Sequence, residues 1–118
     1  MSSRKKPSSP RTKKKPPVKN TFDLVQFKKM IGKGLILPYK NIAKFDEKIK
    51  DKLLSKSVRM LYMTGFVSSG ILYIFDGIDR LLAIAAISYA EIKKNELDFD
   101  IIIYQYPKLS SEEIASLV

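Results

Sequence analysis

Helical and extended periodicities alternate along residues 21–118, which predicts a mixed α+β domain: a short mixed sheet packed by helices, preceded by a disordered basic arm over residues 1–20. Three observations carry this reading. Ile49, Leu53, Leu54, Val58 and Leu61 recur at helical spacing, whereas "ILYIF" (Ile71 to Phe75) and "FDIIIYQY" (Phe99 to Tyr106) are dense in β-branched and aromatic residues. The third is "LSSEEIASLV", in which Ser110 and Glu113 have the spacing of a capping box that opens a last helix. A chain of 118 residues with 45 % apolar composition is long enough for one such domain.

Each element has its own local cause. "TFDLVQFKKMIGKG", from Thr21, sets Phe22, Val25, Phe27 and Ile31 among charges and ends at the Gly32/Gly34 pair, a short helix or an irregular lead-in. Leu35 to Pro38 is a short strand stopped by proline. The segment from Asp46 to Thr64 is expected to be one helix, with Asp46 as N-cap, Glu47 in the first turn and Gly65 just past the end. Its Lys48, Lys50, Asp51, Lys52 and Lys56 form a solvated face. "FVSSGILYIF" then reads as a hairpin around Ser68-Ser69-Gly70. Leu81 to Ile87 is apolar nearly all round, which predicts a helix sunk deep in the domain, with Glu91 to Asn95 as its wet end. Phe99 to Tyr106 would complete a strand, helix, strand unit with the Ile71 to Phe75 strand. Tyr62, Tyr73, Tyr89, Tyr104 and Tyr106 alternate with apolar residues, as core or edge aromatics do before base-stacking platforms.

Composition removes several chemistries. The chain has no cysteine and no histidine, so disulfides, thiolate nucleophiles, the usual zinc sites and the commonest general base are all excluded. Any catalysis would rest on Asp, Glu, Lys, Arg, Tyr or Ser with a metal or a nucleotide.

The net charge of +10 is concentrated at one end. Residues 1–20 contain eight basic residues, Arg4, Lys5, Lys6, Arg11, Lys13, Lys14, Lys15 and Lys19, and no acid, together with four prolines and four serines. That mixture resists helix and strand and suits an extended arm that contacts nucleic-acid phosphates with salt-dependent, sequence-independent affinity. A sorting tail or an anionic-membrane contact is the competing use. The expected partner is nucleic acid, DNA before RNA, and a homodimer or larger assembly fits so small a core. The expected location is intracellular: cytoplasm or nucleoid, or the nucleus in a eukaryote. No secretory signal or transit peptide is expected. The uncharged run from Met60 to Phe75 is sixteen residues and is broken by Gly65, Ser68, Ser69 and Gly70, so no membrane span is expected.

The stretch "ILYIFDGIDRLLAIAAI" concentrates the chemistry. Two aspartates and an arginine lie between an apolar strand and an apolar helix. A helix N-terminus presents free N–H groups and partial positive charge, glycine lets an anion approach the backbone, and Arg80 offers a bidentate fork. Asp76, Gly77 and Arg80 are therefore the candidate phosphate- or nucleotide-binding residues. Ile78 cannot hydrogen-bond a ligand. Asp79 repels a bare anion but could serve one bridged by Mg²⁺, so Asp76 and Asp79 are the candidate metal-binding or catalytic pair. Purely structural roles compete: both aspartates could cap the helix, Arg80 could pair with one of them or with Asp98 or Asp100, and Gly77 could serve only a positive φ.

The element order and the residues "DGIDRLLA", "DIIIY" and "SSEEIASLV" resemble the ParB N-terminal, sulfiredoxin-like domain and the related DGQHR proteins associated with DNA modification. The resemblance runs from about Leu35 to the C-terminus. It implies that the turn at Asp76, Gly77 and Arg80 contacts nucleotide phosphates, with CTP or ATP and Mg²⁺ as the implied cofactors. Where those families have polar residues this chain has Ile78 and Asp79. Sulfiredoxin chemistry is excluded for want of a cysteine, and the helix-turn-helix that follows in ParB proteins is not expected here. Three functions remain: a nucleic-acid-binding protein with a phosphate- or nucleotide-responsive turn, a Mg²⁺-dependent nuclease or nucleoside triphosphatase, and a catalytically inert scaffold.

Overall fold

The computed structural model describes residues 16–40, 46–107 and 109–117. Along them run β1 (Val18–Asp23), α1 (Leu24–Gly32), β2 (Ile36–Pro38), α2 (Glu47–Leu54), β3 (Met60–Ser68), β4 (Ile71–Asp76), α3 (Ile78–Ala86), α4 (Tyr89–Lys94), β5 (Asp100–Tyr106) and α5 (Ser111–Leu117). The strands form one mixed sheet in the order β1-β5-β3-β4-β2. The α+β architecture is thus as predicted, with β5 antiparallel to β1 and parallel to β3, and β4 antiparallel to β3 and parallel to β2. The arm residues Arg4, Lys5, Lys6, Arg11, Lys13, Lys14 and Lys15 lie outside the described residues. Lys19 does not belong to an arm: it sits in β1, which begins one residue earlier with Val18 paired to Gln105.

Four expectations need correction. The helix predicted from Asp46 to Thr64 stops at Leu54. Asp46 caps it as expected, but Ser55 closes the far end by donating its hydroxyl to the Lys52 carbonyl at 2.8 Å, and Lys56 turns the chain with φ of 63°. Beyond it the alternation Leu61 in, Tyr62 out, Met63 in is a two-residue period, and pairing with the isoleucine-rich β5 outweighs the chance helical spacing of Leu61. Second, β4 and β5 are not neighbours, because β3, the hairpin partner of β4, lies between them. The parallel crossover runs from β3 to β5 instead. Third, the single helix expected over Leu81 to Asn95 is two. Ile87 is extended and Ser88 starts α4 with a complete capping box to Glu91. Fourth, α3 is not sunk on all sides, since Leu81, Ala83 and Ile84 are buried while Ala85 and Ala86 face solvent.

The hairpin forms as predicted. Ser69 and Gly70 both have positive φ, 53° and 78°, as a two-residue turn that follows strand twist requires. Farther along β3, a Cβ on Gly65 would fall 2.5 Å from the Tyr73 carbonyl oxygen, so only glycine permits the close strand approach there.

The sheet's two faces differ. On one, Leu61, Met63, Leu72, Ile74, Ile101 and Ile103 pack with Leu24 and Phe27 of α1, Leu53 of α2, Leu81 and Ile84 of α3 and Ile92 of α4. On the other, Phe66 and Phe75 pack with Leu109 and with Ile114 of α5, flanked by Tyr39, Tyr73 and Tyr106. The Ser110 and Glu113 capping box starts α5 as expected, Glu113 N–H donating to the Ser110 hydroxyl at 3.2 Å and Ser110 N–H to Glu113 Oε1 at 2.9 Å. Among the described residues no helix is long and apolar enough to cross a membrane.

Candidate phosphate-binding turn

Strand β4 ends where Asp76 faces Thr64, and α3 begins at Ile78, so Gly77 alone makes the turn. Its φ of 93° and ψ of 23° are left-handed, and a Cβ there would lie 3.1 Å from Met63 Cγ. Glycine is required on both counts. The turn is tight because β3 passes directly beneath it.

That register creates the place Arg80 occupies. From Met60 to Met63 strand β3 runs past the end of β4 and keeps only β5 as a partner. Arg80 Nη1 donates to the Tyr62 carbonyl at 2.7 Å, which satisfies an acceptor that β4 does not reach. The guanidinium has five donors, and it remains exposed. Among the described residues the ion pairs are Lys50–Glu91 at 3.8 Å and Lys56–Glu96 at 3.9 Å, so Arg80 is not tied to Asp76, Asp79, Asp98 or Asp100.

The aspartates have separate duties. Asp79 Oδ1 accepts the Arg80 backbone N–H at 2.9 Å, which places its charge in the first turn of α3, where the helix dipole favours it. Asp76 is exposed at the strand end and is not the cap, because the N-cap is Gly77, which has no side chain to offer. Beside the turn lies a groove of about 330 Å³, lined by Ile49, Lys52 and Leu53 of α2, Met60 and Tyr62 of β3, and Asp79 and Arg80. Lys52 and Arg80 give it two cations against one carboxylate.

A larger depression of about 790 Å³ opens next to it and shares Val58 and Met60. It is lined by Arg59, Glu96, Asp98 and Asp100, away from the turn. Its acids are spread along a wide rim: among the described residues no three carboxylates gather to hold a metal ion. The groups at the turn, a guanidinium, a nearby ammonium and a glycine backbone, fit a phosphate better than they fit a metal centre.

Of the candidate residues Asp76, Gly77, Asp79 and Arg80, the groove takes Asp79 and Arg80, Gly77 makes the turn, and Asp76 stays exposed at the strand end. The sequence announces neither Tyr62 nor Lys52 there: helical spacing assigns Tyr62 to the α2 helix, and Lys52, on that helix, reads as part of its solvated face. The signal that would have found Tyr62 is the two-residue alternation from Met60 to Met63. Comparison of the chain with protein-family models, with curated proteins and with solved structures gives no match.

Proposed function

We propose that this chain is a nucleic-acid-binding protein that grips backbone phosphates with Arg80 and the Gly77 turn, while the basic residues 1–20 add sequence-independent affinity. One observation supports it above the others. The Arg80 guanidinium is exposed at the head of a cationic groove, and its hydrogen bond to the Tyr62 carbonyl orients it without neutralising it. A ParB-like ancestry agrees with that use of the turn and rests on the "DGIDRLLA" resemblance.

The test is salt-titrated binding to DNA and RNA by the full chain, by a version starting at Pro16 and by Arg80→Ala. The truncation starts there because removing residues up to Thr21 would cut into β1. Shortening the arm should flatten the dependence of affinity on salt by several units of slope, and Arg80→Ala by about one. Asp79→Asn should keep or improve binding, whereas it would abolish turnover in a Mg²⁺-dependent enzyme. A rise in Tm with CTP or ATP and Mg²⁺ would make the turn a nucleotide switch. Unchanged affinity and slope in both the truncated and the Arg80→Ala proteins would refute the reading.

A further inference from the structure

Resting on the nucleic-acid reading above, we infer that the half of the sheet left open by α5 is a stacking platform for unpaired bases, so that the ligand is a single strand. Met60 and Tyr62 of β3 lie on the same face as Phe66, and among the described residues α5 covers only the Phe66 and Phe75 end. Tyr62 is 45 % exposed and Met60 51 %, on a central strand where a domain would ordinarily bury such side chains. Tyr104 of β5, half-buried, stands beside Tyr62 with the rings nearly parallel, 13° apart in plane and 6.3 Å between centres. The Tyr62 hydroxyl also donates to Met60 Sδ at 3.4 Å, which fixes the ring along its strand.

Charge identifies the occupant. Lys19 is the cross-strand partner of Tyr104. On the opposite side, Arg80 is bonded to the backbone of Tyr62 itself. Aromatic rings flanked by cations match a ligand of flat bases on an anionic backbone. Asp23 and Asp100, cross-strand partners on this same face, close one end of the platform to phosphate. A duplex hides its base faces and could use only the cations.

The test compares fluorescence anisotropy of labelled oligo-dT, oligo-U and duplex DNA with the full chain, Tyr62→Ala and Tyr62→Phe, the fold of each variant being checked by its melting curve. Tyr62→Ala should weaken binding of at least one single strand about fivefold or more and leave duplex affinity and salt slope unchanged. Tyr62→Phe should bind like the parent. The dT and U arms then tell DNA from RNA. If Tyr62→Ala, still folded, binds every single strand like the parent while Arg80→Ala and the Pro16 truncation weaken binding, the platform is refuted and the phosphate reading stands. If no nucleic acid binds the parent, both fall.

Discussion

The two faces of the sheet are made by the same strands and are closed to different degrees. Beneath α1, α2, α3 and α4 every strand contributes to one continuous core, with Ile74, Ile101 and Ile103 wholly buried. Among the described residues the other face has one short helix, α5, over one end, and its remaining half carries Met60, Tyr62, Tyr104 and Lys19 around a buried Ile102. A face sealed by four helices accounts for stability, while the other leaves Tyr62 and Met60 exposed beside Lys19. The difference teaches that stability and the proposed binding are separable in this molecule, because alternate residues of β3 point to opposite faces.

Paired substitutions can break that separation. Ile103→Ala, on the sealed face, should destabilise the domain by about 2–5 kcal/mol, since it leaves a cavity that α1 and the neighbouring strands cannot fill. Tyr62→Ala, on the open face, should cost about 1 kcal/mol or less, essentially its stacking on Tyr104. Urea unfolding of both measures the contrast. Equal losses would mean that the open face is a structural core after all.

The same alternation explains what was legible in the sequence. Short-range chemistry was readable: the Asp46 cap, the Ser110–Glu113 box and the Ser69-Gly70 turn are all decided within four residues, and all are found. Long-range pairing was not. Leu61 matched a helical period by chance, and only the pairing of β3 with β5 makes it a strand residue. Nothing local announces that β3 separates β4 from β5, or that Tyr62 will stand beside Tyr104. For the candidate site, "DGIDR" showed which residues meet, because a strand-to-helix turn is local. The Tyr62 carbonyl that orients Arg80 comes from eighteen positions away and left no mark.

Gly77 lies where the two faces meet, above Met63 of the sealed core and beside Tyr62 of the open face. Gly77→Ala should lose about 1–2 kcal/mol for the left-handed backbone alone, with the crowding against Met63 added. The loss should appear in denaturant unfolding. It should also weaken nucleic-acid binding, because displacing α3 moves Arg80 off the Tyr62 carbonyl. A variant that loses stability but binds as before would sharpen the comparison, by showing that the ligand touches the open face and not the turn.

The smallest effect concerns the rim of the sealed face. Glu91 of α4 accepts the Ser88 backbone N–H at 3.0 Å, lies 3.8 Å from Lys50 of α2 and feels the charge of Lys28 of α1. Its carboxyl is held below the ordinary value of 4.5, first by the Ser88 backbone hydrogen bond; burial opposes this as the next largest effect, and Lys50, the Ser88 hydroxyl and Lys28 add smaller downward contributions. Lys28 is itself shifted down by burial, as it reaches under the end of α3 to the Ile84 and Ala85 carbonyls at 3.4 Å, with Tyr89 beneath its ammonium. A carboxyl with a lowered native pKa stabilises the fold fully above its unfolded pKa and loses that contribution as pH falls through the native one. The Tm difference between the parent and Glu91→Gln should therefore be constant from pH 7 down to about 5, and should close below the ordinary carboxylate range. Tyr62→Ala should leave that pH dependence untouched, since Tyr62 projects from the other face of the sheet. If the gap between the parent and Glu91→Gln instead stays constant into acid, the Ser88 bond is worth the same with or without the charge, and the neighbouring Lys50 and Lys28 charges add nothing to the fold.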